Sequence, residues 1–426
     1  MRPVLPFVLA ALSLGLGAGP AAADGFALPS TPGPPLSVSQ ATIESRLACS
    51  PGLADAKRAP VLLVQGTGVT AKDNWSWTYE PALDKLRIAW CAIDLPDQAT
   101  GDVQVNGEYV VGAIRTMHAR AGRKISIIGQ SQGGMVPRWA LRFWPDTRAM
   151  VDDLIGFVPS NHGTTKATCD SDPPCSAASW QQSDESNFMK ALNSFQETFA
   201  PISYTSVYTR TDETVQPNMD ETGSSSLRTG DGGRRNVATQ DVCPNDAYEH
   251  LATGTIDPVA YRLAVDALDH DGPADPARVS PLTCAETLHP GIDRTTFAAS
   301  AAAAAVSFET YKSKQLPAEP GLACYTTASC AGQANAGAGA TGSAKRCASR
   351  RRFTIRVPLL RGARATVGGK AVKLRRRGHG LVGTVDLKGR PVGRVVLRIT
   401  GRDGRGRRVR QTRRYNPCKR AQRAAR

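Results

Sequence analysis

The chain has 426 residues, with 41% hydrophobic and 21% charged side chains, a formal net charge of +16 and ten cysteines. That length exceeds what one core usually holds, so two domains are expected, and the composition fits an ordinary folded protein rather than a disordered one. The charge is unevenly spread: 28 of the 53 basic residues but only two of the 37 acidic ones, Asp386 and Asp403, lie from Thr341 onward, which puts +26 on that segment and −10 on the remainder.

The first residues read as an export signal. Arg2 supplies the positive start, Val4 to Leu16 an apolar stretch, and Ala21-Ala22-Ala23 a small-residue cleavage site before Asp24, so residues 1–23 are expected to be removed from a secreted protein. No later segment reaches membrane-spanning length; the alanine-rich run Ala298 to Val306 is about half as long as needed and reads as a buried or packed helix. Export makes disulfides the natural role of the cysteines, with Cys169 and Cys175, and Cys324 and Cys330, bracketing short loops as local pairs. The chain has no CxxC pair or Cys/His spacing of the zinc-binding kind, so no metal is expected.

Residues 24–330 alternate strand-like and helix-like segments. Val61–Val64, after Pro60, suits a strand buried on both faces and runs into the loop Gln65-Gly66-Thr67-Gly68. Asp102 is placed to cap a helix over Val103 to Ala121, in which Val105, Tyr109, Ala113 and Met117 recur about one turn apart. Ile125–Ile128 is a second buried strand, and Met135–Phe143 a helix with Pro137 in or near its first turn. Leu154–Val158 and Ile202–Tyr208 read as strands, Val237–Val242 as strand-like, and Pro258–Leu268 and Thr296–Tyr311 as late helices. This alternation predicts the α/β class, a mostly parallel sheet with helices on both faces.

Residues 331–344 differ in kind. Gly332 to Ser343 (GQANAGAGATGS) is too small and polar to build a core and reads as a linker. In residues 345–426, Phe353, Ile355 and Val357 alternate with Thr354 and Arg356, and Val395, Leu397 and Ile399 with Val396 and Arg398; Gly368-Gly369, Gly378, Gly380 and Asp403-Gly404 mark turns. Period-two alternation with regular turns predicts a small C-terminal antiparallel β-sandwich, flanked by Cys347 and Cys418.

The chemistry centres on Gly129-Gln130-Ser131-Gln132-Gly133, a G-x-S-x-G pattern between a predicted strand and a predicted helix, where a tight turn leaves the serine exposed. A serine hydroxyl needs a base, and in this arrangement an acid and then a histidine follow in the chain. His162, His250 and His289 are the candidates. His162 precedes any plausible acid, His289 sits in a loop beside Pro290, and His270 ends a helical run at the surface, whereas His250 lies in the polar stretch Asn245–Thr253. Asp212 follows the strand Ile202–Tyr208, with Glu213 as its competitor; Asp152 and Asp153 precede a strand and read as solvated. The oxyanion of a tetrahedral intermediate needs donors, for which the backbone N–H of Gln132 and the Thr67 loop after Val61–Val64 are placed.

At this point residues 24–330 resemble the lipase B family of the α/β-hydrolase superfamily. The matching segments, in order from about Ala48 to Ala305, are Leu62–Gly68, Val103–Tyr109, Ser131–Gly134, Trp180–Gln182 and Tyr208–Pro217. The resemblance implies Ser131 as nucleophile, Asp212 as acid, His250 as base, Thr67 and Gln132 as oxyanion donors, and bridges Cys49–Cys91 and Cys243–Cys284. It implies cleavage of carboxylic esters, triacylglycerols included, with no cofactor and no metal; a monomer is expected. There are departures: Gln130 stands where the yeast member has a tryptophan, Ser160-Asn161-His162-Gly163 replaces an acidic stretch, and the Cys169–Cys175 loop has no placed counterpart. The basic C-terminal segment lies outside the resemblance. It motivates an alternative of another class, a non-catalytic surface-binding protein on a hydrolase scaffold, with that segment on anionic cell wall or lipid. Nucleic acid is poorly supported as its partner, because Phe353 and Tyr415 are its only aromatic residues.

Overall fold

The computed structural model describes residues 25–169, 175–331, 352–367, 370–377, 380–386, 395–402, 404 and 406–415. The expected signal peptide, the linker Gly332–Ser343, and Cys347 and Cys418 lie outside these residues. The chain divides into two compact units, Met1–Gly337 and Ala338–Arg426.

The first unit is built on strands β1 (Leu47–Cys49), β2 (Val61–Val64), β3 (Trp90–Ile93), β4 (Ile125–Gln130), β5 (Val151–Phe157), β7 (Ser203–Tyr208) and β8 (Gly233–Ala238), while β6 (Cys175–Ser176) pairs with β9 (Gln315–Leu316) in a separate patch. The main sheet runs in the order β1-β3-β2-β4-β5-β7-β8, and all its pairings are parallel except β1 with β3. Side chains alternate sides along a strand, so β2 divides its four apolar residues between two cores. Leu62 and Val64 pack with Val110, Ile114 and Trp139 on one face, and Val61 and Leu63 with Tyr79, Leu83 and Leu263 on the other. A parallel sheet covered on both faces requires this all-apolar strand.

The helix Val103–Ala121 starts and stops as its sequence predicts: the Asp102 side chain accepts from the Gln104 N–H, and Gly122 takes a left-handed conformation at φ 62° just past the end. Four segments depart from expectation. The helix after β4 runs Gln132–Phe143, beginning straight after Ser131, so Pro137 falls in its second turn, with no N–H to offer the Gly133 carbonyl. Strand β8 ends at Ala238, and Thr239–Val242 is one helical turn. The alanine-rich helix Phe297–Thr310 forms, but only Ala304 in it is buried. Alanine forms helix on its own propensity, and its small apolar area costs little to leave in water. Finally, β5 starts at Val151, so Asp152 and Asp153 lie within it, and Asp153 is buried between neighbouring strands and accepts from the Ser126 hydroxyl at 2.8 Å.

Disulfides join Cys49–Cys91, Cys169–Cys175, Cys243–Cys284 and Cys324–Cys330. The first links directly opposed residues of β1 and β3 and closes a separation of 42 residues, a constraint on the unfolded chain of about 4 kcal/mol.

The second unit holds β10 (Arg352–Pro358), β11 (Arg361–Val367), β12 (Lys370–Val372), β13 (Leu374–Arg377), β14 (Gly380–Asp386), β15 (Val395–Arg402) and β16 (Arg408–Tyr415). They form two antiparallel sheets, β10-β14-β13 and β12-β11-β15-β16. Ile355, Val357, Ala365, Val367, Val385, Leu397 and Ile399 make its core. Ile355, Val357, Leu397 and Ile399 of the alternating residues thus pack as expected for a small sandwich.

Candidate active site

The site lies beyond the C-terminal ends of the parallel strands, where an open α/β sheet leaves its crevice. Ser131 joins β4 to the following helix with φ 56° and ψ −123°, a strained backbone that leads its side chain out of the sheet. The flanking glycines make that turn feasible. A Cβ on Gly129 would stand 1.9 Å from the Gly133 carbonyl oxygen, and one on Gly133 would stand 2.0 Å from the Val64 carbonyl oxygen. The Ser131 N–H donates to the Phe157 carbonyl at 2.8 Å, tying the turn to the end of β5.

Ser131 lines a cavity of about 510 Å³ together with Thr67, Gln130, Gln182, His250 and the apolar Val69, Val215, Leu251 and Phe308. The Ser131 hydroxyl makes no hydrogen bond with a described residue.

His250 Nδ1 lies 3.0 Å from Asp212 Oδ2. The Asp212 carboxylate is buried and fully addressed: Oδ1 accepts from the N–H groups of Thr214 at 2.9 Å and Val215 at 2.7 Å, and Oδ2 also takes the Asn218 amide at 3.3 Å. Its neighbour Glu213 goes elsewhere, accepting from the backbone N–H of His250 at 3.2 Å. The two loops are further joined where Thr209 and Thr211 both donate to the Tyr248 carbonyl, at 2.9 and 2.7 Å. His250 is therefore not on an irregular polar stretch as the sequence suggests. It opens a one-turn helix, His250–Thr253, capped by Glu249. With Nδ1 turned to Asp212, Nε2 is the ring nitrogen left for chemistry.

Thr67 faces the same cavity. Its hydroxyl accepts from Gln132 Nε2 at 2.7 Å and from Gln182 Nε2 at 3.0 Å. A hydroxyl has one hydrogen, and two incoming donors leave it free to point at a ligand. Gln132 is held in turn by the Ala99 carbonyl at 2.9 Å and by Asn106, which donates to its Oε1 at 3.0 Å. Its own N–H opens a helix, where the first amides have no partner within the helix. The loop before Thr67 is pinned by Asn74, whose Oδ1 accepts from the Gly66 N–H at 3.0 Å. Gln182 also accepts from the Ser160 hydroxyl at 2.8 Å. Gln182 and Asn106 fall in segments that the sequence singles out, yet neither shows a role there, since no periodicity marks a contact 115 residues away.

No protein-family model matches the chain. Lipase B of Pseudozyma antarctica is 33% identical to it over 231 residues, which make up 54% of this chain and 67% of that protein. The chain belongs to the lipase B family of α/β-hydrolases. The crystal structure of Aspergillus fumigatus lipase B is similar to it with a TM-score of 0.63 at 27% identity, over 71% of this chain and 74% of that one.

In this lipase B family member His162, His270 and His289, the other histidines weighed for the site, have local partners. His289 is buried, donates from Nε2 to the Thr255 carbonyl at 3.0 Å and stacks on Tyr261. Burial pushes its imidazole down to about 4 against the opposing bond to Thr255, so it stays neutral. His162 Nε2 meets Glu197 Oε1 at 3.3 Å, and neither lines the cavity. Burial works to raise the Glu197 carboxyl, but the His162 bond and the Arg138 charge prevail and hold it at about 2. His270 is half-exposed and pairs with Asp266.

Proposed function

We propose that the chain is an exported hydrolase of carboxylic esters, acylglycerols among them, working through an acyl-enzyme on Ser131. The observation that carries this reading is the contact of His250 with Asp212 at 3.0 Å on the wall of a cavity that also holds Ser131 and Thr67. His250 Nε2 takes the Ser131 proton as Oγ attacks the ester carbonyl carbon, and Asp212 stabilises the imidazolium that forms. The Thr67 hydroxyl and the Gln132 N–H hold the oxyanion. The carbonyl re-forms, the carbon–oxygen bond to the alcohol breaks, and the alcohol leaves with the proton from His250. Water then attacks the acyl-enzyme, gives its proton to His250, and the acid departs as that proton returns to Ser131. Val69, Val215, Leu251 and Phe308 offer an apolar wall suited to an acyl chain.

The experiment is hydrolysis of p-nitrophenyl butyrate and of emulsified triolein by the wild type and Ser131→Ala. The wild type is expected to cleave both, and the variant to lose at least about 10⁴-fold in kcat while keeping its melting temperature. Full activity in the variant overturns the reading. Export is tested separately by N-terminal sequencing of secreted protein, which should begin at Asp24.

A further inference from the structure

The second unit carries a surface that ester chemistry does not use. In the sheet β12-β11-β15-β16, Ala365 and Val367 of β11 and Leu397 and Ile399 of β15 point into the core, so their alternate neighbours point outward. Strand register aligns those outward residues in rows. One row is Arg364, Thr400 and Arg410; the next is Thr366, Arg398 and Thr412; a third, beyond a bulge in β11, is Arg361, Arg402 and Arg408. All six arginines are exposed. In the first two rows guanidinium and hydroxyl alternate both along the strands and across them. Neighbours across strands stand about 5 Å apart and successive outward positions about 7 Å apart.

The one acidic residue among the described residues of this unit, Asp386, stands on β14 in the other sheet. Like charges directly opposed on a sheet destabilise it, and the third row opposes arginine to arginine twice. Such a lattice is relieved by an external anion, and repeated charge calls for a repeating one.

We propose that this face binds a linear phosphate polymer laid along the sheet. The planar arginine fork matches phosphate and carboxylate alike. An internal phosphate of such a chain has two non-bridging oxygens, as a carboxylate has, but its tetrahedral centre directs their remaining lone pairs out of the plane of the fork, toward the flanking hydroxyls that Thr366, Thr400 and Thr412 supply, whereas a carboxylate keeps its own in that plane. The described outward positions hold no aromatic residue on which a nucleic-acid base would stack. Their apolar side chains are Ala371 and the half-buried Val396, too small to insert into a bilayer.

The test measures binding of the full chain to long-chain inorganic polyphosphate. Affinity is expected to fall about 10²–10³-fold between about 50 and 200 mM salt, as release of several counterions requires. The triple variant Arg364→Gln/Arg398→Gln/Arg410→Gln should bind at least about tenfold more weakly, with a flatter salt dependence. The control Arg375→Gln/Arg376→Gln/Arg377→Gln removes the same charge from β13 in the other sheet and should stay within about threefold of wild type. Equal losses in the two variants overturn the proposal, since net charge and not the face would then be responsible. Competition on the wild type decides independently of how the variants fold. Polyphosphate should outcompete polygalacturonate, duplex DNA and phosphatidylglycerol vesicles, and tighter binding of any of these overturns the proposal.

Discussion

The Gln182 side-chain amide donates to the Thr67 hydroxyl at 3.0 Å, and with Gln132 it leaves the single Thr67 hydrogen free for a ligand. Thr67→Val removes that donor and should lower kcat/KM on p-nitrophenyl butyrate by about 10²–10³-fold. Gln182→Leu removes one of the two groups orienting it, and a loss of about tenfold is expected. If Thr67→Val costs no more than Gln182→Leu, the hydroxyl is not an oxyanion donor.

Asp212 and Glu213 are adjacent carboxylates with different partners: one meets the His250 ring, the other its backbone N–H. Asp212→Asn should lower kcat by about 10⁴-fold, because the amide favours the wrong imidazole tautomer. Glu213→Gln keeps an acceptor for the His250 N–H, and its loss should stay within about tenfold. Steady-state kinetics on one soluble ester compares the two directly, and equal losses would contradict the assignment.

Gln130 is buried beside the nucleophile, lines the cavity, and makes no side-chain hydrogen bond with a described residue. Two glycines make room for it: a Cβ on Gly254 would stand 2.1 Å from its Cγ, and one on Gly66 would stand 2.3 Å from its Oε1. A buried amide with no protein partner favours a ligand that supplies one. Gln130→Met should therefore lower the kcat/KM ratio of a hydroxyl-bearing ester to its plain analogue by about tenfold, as should Gly254→Ala, which displaces the same side chain. Ethyl 3-hydroxybutyrate against ethyl butyrate, and hydroxyethyl butyrate against ethyl butyrate, test the two sides of the scissile bond. Unchanged ratios in both pairs would exclude the role.

Asp153 titrates in the interior. Burial raises its carboxyl to about 7, the Ser126 bond opposing and the Asp152 charge adding to the rise. A folded pKa above the unfolded one means that the contribution is fully present below about pH 4 and is lost as pH climbs through 7. Asp153→Asn keeps an acceptor for Ser126 and removes the titration. Relative to wild type, the variant should gain about 2–4 kcal/mol of stability between pH 4 and pH 8, read as the difference in melting temperature at the two values. A pH-independent difference would show that Asp153 does not titrate in this range.

Local features of the chain announced much of this protein. An all-apolar strand after Pro60, Asp102 at the start of one helix, and glycines flanking Ser131 are each dictated by backbone sterics, capping or burial within a few residues. The alternation of Val395–Ile399 likewise carried its own sheet geometry, and the division of charge at Thr341 is a property of the chain alone. Helix and strand boundaries near the site were less legible. The elbow forces the helix to begin at Gln132 despite Pro137, and a helical turn intervenes between β8 and the His250 loop.

By itself the sequence determined the sheet-and-helix class, the serine turn and the basic segment, because each depends on interactions between near neighbours in the chain. Only the tertiary structure decided that Asp212 and not Glu213 meets the imidazole, that Gln182 holds Thr67, that Asp153 is buried, and that the alanine helix Phe297–Thr310 lies exposed. Those outcomes depend on which distant strands and loops pack together. Two adjacent carboxylates are chemically alike until the fold gives one of them the histidine ring and the other its backbone.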